Sequence, residues 1–347
     1  MAFTDYPSFL GNPSSSHTDS PLRLGIAGLG SMGRNHLRVA SRLDGVVCAA
    51  ALEVDTGLAV GTTGVDVLTD SAVFAGMVDA AIVAVPTEEH LVVARELILE
   101  GVHVLVEKPL AHSVDAAEEL VRCADEIGVV LAVGHIERFN PAVLELRRRL
   151  ENDELGEIFQ IATSRQGPFP DRIRDVGVIK DLASHDIDVV QFICQSPYAS
   201  VAAFTAHRAG RPHEDLVSAV ARLANGTVVN HMVNWLSPEK ERRVTITGER
   251  GRFIADTLSG DLTFFANGVV KTEWEHLMQF RGVSEGDMTR FAFPKREPLR
   301  AELEGFRDAI LGRESGAIVS GLEGVGVLRV AEAIDRASRN ASIEDLQ

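Results

Sequence analysis

From Leu22 onward, short and continuously apolar runs alternate with helical stretches: LRLGIAG, SMGRNHLRVASRL, VVCAAALE, then AAIVAVP, EEHLVVARELILEG, VHVLVEKP, SVDAAEELVRCADEIG and VVLAVGHIE. A strand that is apolar on both faces must be covered on both faces, and helices between such strands provide that cover. The pattern therefore predicts a doubly wound parallel sheet of the α/β class over residues 21–142. Past residue 142 the character changes. EIFQIATSRQG, SVAAFTAHRAG, DLVSAVARLANGTVVNHMVNW, ERRVTITGERGRFIADT and DLTFFANGVVKTEWE follow one another with NG and ERG as turn signals, which predicts a large, mostly antiparallel open sheet. The helix GVIKDLASHDIDVVQFIC interrupts the first two of these strands, and two more helices close the chain. This α+β region is expected to span 143–347, since 347 residues exceed one ordinary core. Two domains imply a cleft between them. Residues 1–20, rich in Ser and Pro without a basic start and apolar core, are expected to be a disordered extension.

The 34 basic and 50 acidic residues leave a net charge of -16, with no basic stripe to track a phosphate backbone. Nucleic acid and acidic membranes are therefore not expected partners. No apolar run approaches the roughly 20 residues that span a bilayer. Cys48, Cys123 and Cys194 are far apart and lie in apolar segments, as buried reduced thiols of a cytoplasmic protein would. They lack the spacing of a metal knuckle, and no metal is expected.

LGIAGLGSMGRNHL carries Gly28, Gly30 and Gly33 in G-x-G-x-x-G spacing between a strand and a helix. The first glycine permits a tight turn, the second lets backbone amides approach a pyrophosphate, and the third lets helix and strand pack closely. Leu29, Ser31 and Met32 contribute the remaining backbone of that loop. Glu53 ends the next strand, placed to accept hydrogen bonds from the adenosine ribose. A carboxylate there repels a 2′-phosphate, and Val54, Asp55 and Thr56 supply no cation to bind one, so NAD is expected rather than NADP.

Ligands of open α/β sheets bind outside the carboxyl ends of the strands. Three further stretches fall there: AVPTEEH with Val85, Pro86 and His90; VEKPL with Glu107 and Lys108; and VGHIERFNP with Glu137. Val85, Pro86, His90, Glu107 and Lys108 are expected to face the cofactor. Partial burial would lower the pKa of Lys108 and suit it to polarising an alcohol oxygen; read alone, it is equally a surface lysine at a strand end. At about 100° per residue, Asp181, His185 and Asp188 share one narrow edge of an otherwise apolar helix. Taken singly, Asp181 also reads as an N-cap and His185 as a core histidine.

Together GLGSMG, AVPTEEH, VEKPLA, GHIERFNP and KDLASHDID resemble the glucose-fructose oxidoreductase, inositol dehydrogenase and MocA family of NAD(P)-dependent dehydrogenases, from about Leu22 to the end of the chain. The resemblance implies that Lys108 joins Asp181 and His185 as the reacting groups. Oxidation of a secondary alcohol needs a base that titrates near neutral pH, a role that fits His185. Asp181 would orient the imidazole or hold a neighbouring hydroxyl, and Lys108 would stabilise the alkoxide. Whether Lys108 or His185 takes the proton stays open. Asp188 is expected to be structural, and Asp186 has no assigned role.

The stretch VGHIERFNPAV and the segment RQGPFPDRIRDVGVIKDLASHDID are most similar to the branch that oxidises the 3-hydroxyl of UDP-N-acetylglucosamine or related UDP-sugars. They depart from the inositol dehydrogenase pattern, which tends to a basic pair at Ile136 to Arg138. Glu137, Arg165 and Asn234 are the expected substrate contacts, with Arg165 placed to meet a diphosphate. Each is otherwise a sheet-end residue satisfied locally. A myo-inositol or free-sugar dehydrogenase is the alternative, and a non-catalytic NAD-binding regulator on the same fold is the alternative of another class. The intact Lys108, Asp181 and His185 argue against the regulator. Because the helices lie on one side of the second sheet, its bare face is expected to pack in a homodimer or homotetramer.

Overall fold

A computed structural model describes residues 20–55, 57, 64–170, 176–268 and 284–346. The expected extension before Ser20, together with Thr56, DRIRD at 171–175 and VVKTEWE at 269–275, lies outside the described residues. The chain forms two compact units, Met1–Phe139 with Glu297–Arg329 and Asn140–Arg296 with Val330–Gln347.

The first unit is built on β1 (Leu22–Ala27), β2 (Val46–Leu52), β3 (Asp66–Leu68), β4 (Ala80–Val83), β5 (His103–Glu107) and β6 (Leu131–Gly134). These six are parallel and run in the order β6-β5-β4-β1-β2-β3. Every residue of β4 and β6 is buried, as continuous apolarity required. The helices α1 (Ser31–Ala40), α2 (Ser71–Met77), α3 (His90–Leu99) and α4 (Val114–Ile127) connect them. Local chemistry sets their ends: Asp70 accepts from Ala72 and Val73 N–H, Ser113 accepts from Ala116 N–H, and Gly128 closes α4 at φ 79°. Strand order reverses between β1 and β4, so the crevice of a doubly wound sheet opens at their carboxyl ends.

The second unit opens with α5 (Pro141–Glu151), capped by the Asn140 side chain on Ala142 N–H. Its sheet contains β7 (Ile158–Pro168), β8 (Tyr198–Ala206), β9 (Leu216–Leu223), β10 (Val228–Asn234), β11 (Leu236–Gly248), β12 (Gly251–Asp256), β13 (Asp261–Gly268) and β14 (Ser284–Arg290). The order is β14-β13-β12-β11-β7-β10-β9-β8, antiparallel except where β7 meets β10. Between β7 and β8 lie a π-turn (Ile179–Ala183) and α6 (Ser184–Cys194). Burial alternates along β9, with Val217, Ala219, Ala221 and Leu223 inward. Phe204, Val220 and Met232 point to the other face and are 74%, 51% and 50% exposed.

The sequence assigned all of 143–347 to the second domain, and the structure corrects this. Residues 297–329 belong to the first unit. Helix α7 (Pro298–Ile310) buries Leu299, Leu303, Phe306 and Ala309 against α1 and the 3-10 turn Ile136–Phe139. Strand β15 (Val319–Ser320) adds an antiparallel edge to β6 through Val319 opposite Val133. Helix α8 (Gly321–Asn340) contributes residues to both units, and β16 (Glu344–Asp345) pairs with the edge strand β8. An amphipathic helix announces a buried face without naming the sheet that buries it.

Candidate functional site

The loop after β1 shows three distinct demands on its glycines. Gly28 has φ +91°, and a Cβ there would lie 2.7 Å from Ala84 O on the neighbouring strand end. Gly33 packs so closely that its Cβ would meet Gly28 O at 1.8 Å, joining helix to strand. A Cβ on Gly30 would meet nothing within 4 Å, so the backbone there faces open space at the start of α1. A tight turn, a close contact and an open cradle at a helix N-terminus fit a dinucleotide pyrophosphate.

Glu53 closes the loop from β2. It is 8% exposed; its Oε2 accepts from Leu29 N–H at 2.7 Å and its Oε1 from Asp55 N–H at 2.9 Å. The expected ribose acceptor thus also braces the glycine loop, and a carboxylate has lone pairs for both tasks. Arg34, which the sequence reading passed over, sits beside the loop with Nε donating to Leu29 O at 2.9 Å.

Val85, Pro86, His90, Glu107 and Lys108 gather at the carboxyl ends of β4 and β5. Val85 and Lys108 are half-buried there, and Pro86 is exposed. His90 is buried, with Nδ1 2.8 Å from Pro109 O and Nε2 3.0 Å from Val85 O. Burial pushes its imidazole below the usual value, and a neutral ring donates to one of these carbonyls at a time. It ties two loops together where the sequence expected a cofactor contact.

Glu107 likewise has an internal partner. Its Oε1 lies 2.8 Å from Nε2 of the fully buried His36, and its Oε2 accepts from Lys108 N–H at 3.2 Å. Burial pushes the Glu107 carboxyl up, but the hydrogen bond from His36, with the charges of His36 and Lys108, outweighs this and holds it below the usual carboxylate range. A half-buried anion, its side chain 12% exposed, therefore adjoins Lys108. The signal for His36 was available in the sequence: it follows Gly33 by three residues on the inward face of α1.

In the second unit, the helix carrying Asp181 and His185 is not uniform. A π-turn over Ile179–Ala183 inserts an additional residue before α6 begins. Helical backbone thus starts ahead of Asp181, which removes its reading as an N-cap. Asp181 is buried and His185 half-buried. Asp188 is fully buried, and Asp186, which had no role, meets Arg165: Nε donates to Oδ1 at 2.7 Å.

That pair changes the picture for the expected substrate contacts. Arg165, on β7, is 4% exposed and committed at Nε to Asp186. Asn234 ends β10 by accepting from Leu236 and Ser237 N–H, and its Nδ2 donates to Gln166 Oε1. Both side chains thus have partners within the second unit. Glu137 lies half-buried in the 3-10 turn Ile136–Phe139.

Comparison with known proteins agrees with this division. Residues 22–135 match the oxidoreductase family with an NAD-binding Rossmann fold, and residues 143–254 match the GFO/IDH/MocA C-terminal domain. UDP-N-acetylglucosamine 3-dehydrogenase of Acidithiobacillus ferrooxidans is 30% identical over 317 residues, covering 89% of this chain and 95% of that protein. A solved structure of UDP-N-acetylglucosamine 3-dehydrogenase GnnA from Acidithiobacillus ferrooxidans superposes with a TM-score of 0.78 at 27% identity, over 92% of this chain and 98% of that one. GenD2 from gentamicin A biosynthesis, solved in complex with NAD, gives a TM-score of 0.78 at 25% identity over 96% and 99% of the two chains.

Proposed function

Because this chain belongs to the GFO/IDH/MocA family of NAD-binding oxidoreductases, we propose that its dehydrogenase chemistry acts on a secondary alcohol of a sugar-type substrate, the 3-hydroxyl of a UDP-sugar such as UDP-N-acetylglucosamine. The observation that carries the substrate class is the likeness to UDP-N-acetylglucosamine 3-dehydrogenase over 95% of that relative's length. NAD fits the open backbone at Gly30 and the carboxylate of Glu53. When bound it supplies the hydride acceptor.

The chain's own residues do the rest. His185 takes the hydroxyl proton on its imidazole, and Asp181 orients that ring or holds a neighbouring hydroxyl. The Lys108 ammonium stabilises the negative charge that develops on the alcohol oxygen, while the Glu107 carboxylate accepts from the Lys108 backbone N–H and its charge favours the ammonium form. Glu137, Arg165 and Asn234 are the candidate substrate contacts, with Arg165 also fixed by Asp186 and Asn234 by the turn that follows β10.

The test is NADH formation by purified protein with NAD and a panel of UDP-sugars and cyclitols. Turnover with UDP-N-acetylglucosamine, lost in His185→Ala, supports the reading. No NADH with any of them, alongside tight NAD binding unchanged in His185→Ala, assigns the chain to a regulator instead.

The exposed apolar face with Phe204, Val220 and Met232 supports a homodimer or homotetramer built on this sheet. No helix among the described residues is long and apolar enough to cross a membrane. The free thiols Cys48, Cys123 and Cys194, two of them half-buried, suit a reducing cytoplasm.

A further inference from the structure

The helix that carries Asp181 and His185 begins without a cap of its own. Its first amides would be unsatisfied donors, and neither the residue before the π-turn nor the one before α6 supplies a side-chain acceptor. The acceptor comes from Glu214, 35 residues further along the chain, in the segment between β8 and β9. Ile179 N–H donates to Glu214 Oε1 at 3.0 Å, and Val178 N–H donates to Glu214 O at 3.1 Å.

A second observation concerns Gly177. A Cβ on that residue would lie 2.1 Å from the Glu214 carboxyl, so the carboxylate occupies the space a side chain would take. The segment bearing Glu214 is itself anchored to the sheet through the next residue. Asp215 N–H donates to Ala206 O at 3.0 Å, Trp235 N–H donates to Asp215 O at 2.9 Å, and Asp215 Oδ2 accepts from Arg208 and Ala209 N–H.

We propose that Glu214 is a positioning residue: it fixes the first turn of the helix in its π register, and through that turn sets where Asp181 and His185 present their side chains. The physical reason is the additional residue. A π-turn relaxes to the more favourable α geometry unless its ends are held, and absorbing one residue rotates Asp181 relative to α6 by about 100°. Glu214 holds the upstream end, while the Arg165–Asp186 pair holds the downstream end to the sheet. The inference rests on the reading of Asp181 and His185 as the reacting groups.

The test compares NAD-loaded wild type, Glu214→Ala, Glu214→Gln and Gly177→Ala. Two readouts are used: the imidazole NMR resonances of His185 across pH, and turnover with UDP-N-acetylglucosamine. The NMR arm needs no substrate. Glu214→Ala removes the acceptor, Gly177→Ala displaces it, and Glu214→Gln retains an Oε1 acceptor. Expected is a shifted His185 resonance and titration in the two alanine variants, with kcat lower by on the order of 10- to 100-fold and KM for NAD unchanged; the glutamine variant stays with wild type. A wild-type His185 resonance in both alanine variants, or a Glu214→Gln variant as impaired as Glu214→Ala, overturns the proposal. A shifted resonance with wild-type turnover in Glu214→Ala and also in His185→Ala upholds the positioning and overturns the role of His185 as base.

Discussion

Arg165 and Asp186 form a buried ion pair at 2.7 Å, with side chains 5% and 3% exposed, that fastens the helix bearing His185 to strand β7. Breaking such a pair from one side strands a charge away from water, whereas replacing both partners by apolar groups of similar volume does not. Arg165→Met is therefore expected to cost about 3 to 5 kcal/mol, and Arg165→Met with Asp186→Leu much less than the sum of the singles. Urea unfolding of the four proteins measures the coupling, and additive effects would remove the pair from the account.

The His36–Glu107 pair predicts graded effects at the lysine loop. Lys108→Ala is expected to abolish NADH formation while NAD still binds. Glu107→Gln, which keeps the shape and loses the charge beside Lys108, is expected to lower kcat by about tenfold. Full activity in Lys108→Ala would take the lysine out of the mechanism.

Glu53 braces Leu29 N–H and is read as the ribose acceptor. Glu53→Ser is expected to weaken NAD binding by about tenfold and to narrow the preference for NAD over NADP. Calorimetric titration with both dinucleotides checks this, and an unchanged ratio of affinities would reduce Glu53 to a loop brace.

His231 on β10 shares hydrogen bonds with Thr163 Oγ1 and Tyr198 OH at 2.8 Å each, and burial pushes its imidazole down to about 4. Below its usual 6.5 the unfolded chain takes up a proton that the folded chain refuses until about 4. The unfolded state thus binds more protons across that window, so stability falls as pH falls, by up to about 3 kcal/mol. Thermal unfolding from neutral pH down to that limit should show the slope. His231→Gln, less stable at neutral pH, should flatten it.

The exposed face of the second sheet predicts self-association. Phe204→Asp combined with Val220→Asp is expected to reduce the particle mass seen by light scattering. A wild-type monomer at micromolar concentration would contradict the interface.

Continuous apolarity in AAIV and LAVG required strands covered on both faces, and the glycine spacing followed by Glu53 required a nucleotide cradle; both are local properties, so the sequence by itself determined them. The placement of 297–329 was not local, because the apolar stripe of α7 fits any apolar surface and only three-dimensional packing selects one. The partners of the charged residues were equally hidden. Arg165 meets Asp186 through Nε, His90 lies against backbone carbonyls, and Glu107 pairs with a histidine 71 positions away, since in the interior each charge must find a counterpart wherever folding brings one. Spacing alone placed Asp181 and His185 on one helical edge, whereas the π-turn that sets their register and the Glu214 that holds it exist only once the β8–β9 segment lies against the helix start.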